Sequence, residues 1–306
     1  MKKYFILLLA MACVSAFNLD ARKKAKHVVL IGIDGWAAEA VRRAPAGDLP
    51  NIHSLMDGGS WTLSKRSVMP SASAINWASM FNGLPTEQHG FDKWNSTHGT
   101  IPSITDNGQG IPPTIFTILR QQRPGTECGC IYDWDCIGAL TDTLAMNYHY
   151  FIKTYRGRKV LVSTADYTKL ATDYIESKKP ELFVFYYGSL DNAGHTYGWY
   201  GPEYMAQLKE IDEGVGQIIA SLKKAGIYDD TVIVMSADHG GTGKGHGKFT
   251  MLELETPFIV CGKGIKKGHE ITEPLMQYDS AAIVADLLGL KIPEEWRGRP
   301  VKTIYR

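Results

Sequence analysis

His27–Asp34, HVVLIGID, runs apolar from Val28 to Ile33 and stops at an aspartate. A strand covered on one face alternates apolar and polar residues. One covered on both faces reads as an unbroken apolar run, as in a parallel sheet sandwiched between helices. The pattern recurs twice. LFVFYYGSLDNAGH (182–195) leads into Asp191 and His195, and TVIVMSADH (231–239) ends in Asp238 and His239, ahead of a glycine-rich loop carrying His246. Open α/β sheets place their ligand sites beyond the carboxyl ends of the strands, so these six residues are expected to meet there. Three Asp and three His gathered in one place need partners or cations. Mixed oxygen and nitrogen donors suit zinc better than magnesium, which prefers oxygen alone. The pattern points to a hydrolase with two divalent metal ions, zinc being the best match. Singly, each residue has a plainer reading: Asp34 as a helix N-cap, Asp191 and His195 as a local ion pair, His246 as a loop histidine. Their shared position at strand ends is what favours a site.

Residues 70–91, PSASAINWASMFNGLPTEQHGF, supply a nucleophile. Ser73 stands three residues before Asn76 and sixteen before His89, and a Gly83-Leu84-Pro85 turn precedes His89-Gly90. With these motifs the chain resembles the alkaline phosphatase superfamily, and within it the type I phosphodiesterase/nucleotide pyrophosphatase family. That family has a Thr or Ser nucleophile three residues before an Asn at a helix start, then Gly-Leu-x-Pro-x-x-His-Gly. Pro85 sits one place earlier than the family's proline. The likeness runs from about residue 27 to the end, where DSAAIVADLLGLKIPEEWRGRPV (279–301) is similar to the closing segment.

The resemblance implies an α/β fold, an alkaline-phosphatase-like three-layer sandwich with a mostly parallel central sheet and a small cap insertion. It implies a phosphodiesterase or nucleotide pyrophosphatase that hydrolyses a small-molecule phosphate ester through a phosphoseryl intermediate on Ser73. Carried over by position, Asp34, Ser73, Asp238 and His239 would hold one metal, and Asp191, His195 and His246 the other. Asn76 and Asn95 would bind substrate. The chain departs from the family at two places. Ala74 replaces the aromatic residue that often follows the nucleophile and stacks on a base. Trp94 occupies the place of a substrate-binding Asn, so Asn95 serves only after a one-residue shift. Phosphomonoesterases (alkaline phosphatases) and phosphonate hydrolases share the metal core and stay open as alternatives. A sulfatase would need Pro and Arg two and four residues after its nucleophile, where this chain has Ile75 and Trp77. A non-catalytic metal-binding protein would be expected to have lost Ser73 or a ligand.

The 306 residues, 44% hydrophobic and 21% charged, suffice for one large α/β domain. MKK followed by YFILLLAMACVSAF reads as a signal peptide over residues 1–16, with a short apolar core and a Val14-Ser15-Ala16 exit. Export to the periplasm or medium is the expectation, with lipid anchoring through Cys13 a minority reading because Ala10-Met11-Ala12 makes a poor lipobox. No segment is long enough to span a bilayer. Removal of residues 1–16 takes the 33 basic residues to 31 against 32 acidic ones, so no nucleic-acid partner is expected. In an exported chain the trio Cys128, Cys130 and Cys136 suggests one disulfide. Helices are expected at 36–43, 50–58, 76–82, 112–122, 200–224 and 279–288. The stretch 92–175 interrupts the strand–helix alternation and is read as the cap.

Overall fold

The computed structural model describes residues 24–306; the expected signal peptide and Cys13 lie outside the described residues. Its centre is an eight-stranded sheet built from β1 (His27–Ile33), β2 (Gly59–Arg66), β3 (Cys128–Tyr132), β4 (Tyr148–Phe151), β7 (Leu182–Tyr187), β8 (Thr231–Ser236), β9 (Glu255–Gly262) and β10 (His269–Glu270), with β5 (Tyr155–Arg156) and β6 (Lys159–Val160) forming a separate hairpin. The order is β10-β2-β9-β8-β1-β7-β3-β4. The run β8-β1-β7-β3-β4 is parallel throughout, while β9 lies antiparallel to both its neighbours. The sheet is therefore mostly parallel.

Alternation of side chains explains the unbroken apolar runs. Val28, Leu30, Leu182 and Val184 face one core, together with α3 (Ser73–Asn82), α4 (Ile115–Gln122) and α8 (Asp279–Leu288). Val29, Ile31, Phe183 and Phe185 face the other, with α1 (Ala38–Arg43), α2 (Pro50–Gly58), α5 (Thr164–Lys178) and α7 (Pro202–Lys224). Helices cover both faces, so neither tolerates polar side chains. The three-layer architecture is as expected. On α7, Tyr204, Leu208, Ile211, Val215, Ile218 and Leu222 are all fully buried, as a stripe recurring every three or four residues requires.

Two expectations need correction. The stretch 92–175 is not all cap: α4 and β3 belong to the layers, and β3 pairs directly with β7. The disulfide is absent as well. Cys128, Cys130, Cys136 and Cys261 are buried free thiols. Cys128 and Cys130 share one face of β3, where residues two apart are separated by about 6.6 Å of strand, against a Cβ spacing of about 3.8 Å in a disulfide. The Cys136 thiol donates instead to the Ser96 carbonyl (3.2 Å), and burial pushes its pKa up to about 12.

Candidate active site

All the strand-end acids point into one place. β1 runs straight into Asp34, whose backbone N–H still bonds the Tyr187 carbonyl of β7 (2.9 Å). Gly35 then turns the chain with φ of +70°, and a Cβ there would lie 3.0 Å from the Asp191 backbone. Its N–H donates to Asp238 Oδ1 (3.0 Å). Glycine is required here by conformation and by space together. Gly35→Ala is expected to cost about 1–2 kcal/mol from the left-handed backbone alone, more if Asp191 is displaced, and the midpoint of urea unfolding measures it.

Ser73 is the first residue of α3, and its Oγ lies 3.0 Å from His239 Nε2. Nδ1 of His239 donates to the Gly240 carbonyl (2.8 Å), so Nε2 carries the lone pair and accepts from the serine hydroxyl. That same Nε2 lies 3.1 Å from Asp238 Oδ2 and 3.5 Å from Asp34 Oδ1. Both of those oxygens are buried and lack any hydrogen-bond partner. The other oxygen of Asp34 is taken: Trp77 Nε1 (2.9 Å) and Tyr186 OH (2.5 Å) donate to Oδ2, which aims Oδ1 inward.

A second convergence adjoins the first. The His195 ring donates through Nδ1 to the Lys244 carbonyl (3.0 Å), and His246 through Nδ1 to the Ser71 carbonyl (2.8 Å). Their Nε2 atoms therefore turn toward each other at 3.2 Å. Asp191 stands by both, with Oδ2 3.5 Å from His195 and the orphaned Oδ1 3.7 Å from His246. The rings of His239 and His246 stack at 3.6 Å, joining the two groups. The compact donor sets are Asp34, Asp238 and His239, and Asp191, His239 and His246. His239 thus touches both, whereas His195 meets the second through Asp191 and His246.

This arrangement fits divalent cations. Three imidazole Nε2 lone pairs and three partnerless carboxylate oxygens face one another with no basic side chain among them, and each imidazole is oriented by a backbone carbonyl behind it, as metal-binding histidines are. Without a cation the electrostatics are adverse. Burial, then the charge of Asp238, pushes the Asp34 carboxyl up to about 7. Burial raises Asp238 to about 7, and Asp191 well above the carboxylate range with help from Asp34 and Asp238. Burial drives His246 down to about 2 and also lowers His239.

A cavity of about 750 Å³ opens over these groups, walled by Trp94, Trp134, Tyr155 and Tyr186. Asp133 and Lys153 also line it, two residues that the sequence motifs do not mark. Asp133 directly follows β3 as Asp34 directly follows β1. Its oxygens accept from Gly188 N (2.7 Å) and Thr154 Oγ1 (2.6 Å), tying the loop before β5 to the start of α6 (Ser189–Tyr197). The apolar run CGCIY before it carried the same signal as HVVLIGI.

The two asparagines lie elsewhere. The Asn76 carboxamide is fully buried, accepting from Val68 N (2.7 Å) and donating toward the Val68, Pro70 and Ala72 carbonyls (3.1–3.2 Å). It ties down the turn ahead of Ser73 instead of facing the cavity. Asn95 is exposed and does not line the cavity; its neighbour Trp94 does. His89 is buried, bonded to Ser79 Oγ (3.1 Å) and Phe91 N (3.0 Å), which makes it part of the helix's support.

The family described as type I phosphodiesterase / nucleotide pyrophosphatase matches residues 28–251, most of the chain. The chain belongs to that family. Among its relatives are the bis(5'-adenosyl)-triphosphatase enpp4 of Xenopus laevis, 24% identical over 221 residues, and the ectonucleotide pyrophosphatase/phosphodiesterase family member 1 of Rattus norvegicus, 24% identical over 241 residues. These alignments cover 70% and 74% of this chain but 46% and 25% of the relatives, so the chain spans under half the length of either. Murine ectonucleotide pyrophosphatase/phosphodiesterase 5 superposes with a TM-score of 0.71 at 16% identity, covering 92% of this chain and all of that one, and so shares the fold. Among the described residues no helix is long and apolar enough to cross a membrane.

Proposed function

We propose that the chain hydrolyses phosphate diesters by nucleophilic attack of Ser73, with two divalent cations, zinc by donor chemistry, held by Asp34, Ser73, Asp238 and His239 and by Asp191, His195 and His246. The observation that carries this reading is Ser73 Oγ at 3.0 Å from His239 Nε2, at the head of a ten-residue helix and beside the two partnerless carboxylate oxygens. The positive end of the helix dipole favours negative charge on Ser73 Oγ. Bound cations would act as Lewis acids, lowering the pKa of the hydroxyl and stabilising the attacking and leaving oxygens. Attack by the deprotonated Oγ forms the Oγ–P bond and breaks the P–O bond to the first alcohol, which takes up a proton as it leaves. The second organic group stays on phosphorus, and water then cleaves the Oγ–P bond, releasing the monoester and returning a proton to Ser73. Trp77 and Tyr186 keep Asp34 aimed, and the buried Asn76 keeps the turn before Ser73 in place.

Diester preference is supported by the family match and by the aromatic walls of the cavity. Asp34, Asp133 and Asp191 line it, and Lys153 is the one lysine or arginine among its lining residues. The aromatic walls leave room for an organic group on either side of phosphorus. Because Ala74 offers no ring, nucleobases are expected to be discriminated little; a preference beyond a hundredfold would assign a base-binding role to Trp94.

A panel on zinc-loaded protein tests the reading: p-nitrophenyl phosphate, its bis-ester, and the p-nitrophenyl ester of thymidine 5′-monophosphate. The diesters should give the higher kcat/KM. A monoester value ten times theirs, about 1.4 kcal/mol in the transition state, reverses the assignment.

A further inference from the structure

Lys65, on β2, is the one lysine or arginine among the described residues with no solvent exposure. Lysine is almost never fully buried unless paired, yet among the described residues no carboxylate stands within ion-pair distance of its ammonium. Its Nζ donates to the Ala237 carbonyl (2.9 Å) and to Gln277 Oε1. Gln277 in turn donates through Nε2 to the carbonyls of Asn76 and Ala237, at 3.2 Å each. Ala237 is the residue before Asp238 and His239. Asn76 is in the first turn of α3, three residues after Ser73, and its side chain grips the segment that delivers Ser73. Lys65 itself does not reach the cavity.

We infer that Lys65 is a positioning residue: through Gln277 it joins the strand end bearing Asp238 and His239 to the first turn of the nucleophile helix, setting the distance between Ser73 and His239. The inference rests on the proposed role of Ser73. Two segments separated by more than 150 residues of chain must be held at 3.0 Å, and misplacement of reacting groups by about 1 Å can cost on the order of 100-fold in rate. A core built for stability alone would fill this place with an apolar side chain, since burying an ammonium is unfavourable. Burial lowers the pKa of Lys65 to about 7, against the pull of Asp238 and Asp279, both close enough to favour its charge. The Lys65 bond to the Ala237 carbonyl also fixes the backbone that aims Asp238 and His239, two of the proposed metal ligands.

The test is Lys65→Met, which keeps the length and removes the donor, measured in full-length protein for fold by circular dichroism, for kcat and KM on the p-nitrophenyl diester, and for zinc affinity by chelator competition. The expected result is a folded protein with kcat at least tenfold lower, KM within twofold of wild type, and zinc bound at least fivefold more weakly. A folded Lys65→Met protein with kcat and zinc affinity both within twofold of wild type overturns the inference. If Lys65→Met does not fold, Gln277→Met decides: it leaves the lysine its Ala237 bond and should lower kcat at least threefold at constant KM, and an unchanged kcat refutes the relay. Should wild-type protein turn over no ester, the proposed function fails, while the zinc measurement still judges Lys65.

Discussion

Ser73→Ala should abolish turnover by several orders of magnitude while the fold and most metal binding persist. The side chain makes no capping bond: Ala72 occupies the N-cap, and Ser73 Oγ is directed at His239. Loss of the hydroxyl is therefore expected to cost little stability, well under the roughly 1 kcal/mol of a lost cap, and nearly all activity. Ser73→Thr keeps a hydroxyl in place and should retain part of the rate. The rival hydroxyl, Ser71, is committed elsewhere, donating to the Lys248 carbonyl (2.9 Å) and accepting from Gly247 N (3.1 Å). Mass spectrometry of acid-quenched enzyme should find the phosphoryl group, still bearing the substrate's second organic group, on Ser73. Finding it on Ser71, or an active Ser73→Ala protein, refutes the mechanism.

Chelation should be nearly as damaging, and re-added zinc should restore activity at close to two metals per chain. One metal or none at saturating zinc, with the fold intact, would sink the two-site arrangement. His246→Ala should empty mainly the site shared with Asp191 and His195. The chelated protein should also lose stability as pH rises. Asp34 and Asp238 titrate near 7 in the metal-free fold but near 4 in an unfolded chain. Between those values the folded state binds more protons than the unfolded one, so stability falls with increasing pH and is lowest above about 7. Bound cations substitute for the protons, and the rise in Tm on adding zinc should be larger at pH 8 than at pH 5. An equal rise at both would mean that the carboxylates do not bear the metal's charge.

Much of this candidate site is legible in the sequence. A strand buried on both faces must be apolar along its whole length, so the first charged residue marks where it leaves the sheet, and in parallel strands those exits share one edge. Asp34, Asp191 and Asp238 could be placed on that logic, and Ser73 by its spacing to Asn76 and His89. Asp133 obeys the same rule, but its strand lies within a stretch rich in glycine, threonine and aromatics that reads as an insertion. Other features had no local signal. Whether Asn76 faces substrate or the turn behind it depends on where the Val68, Pro70 and Ala72 carbonyls stand. Whether neighbouring cysteines pair depends on which face of β3 they occupy. Lys65 meets Gln277 across 212 positions of chain. Periodicity reports how a segment is covered, because burial acts on each segment by itself. Which buried polar atoms meet is a pairwise matter between remote segments, and packing alone settles it.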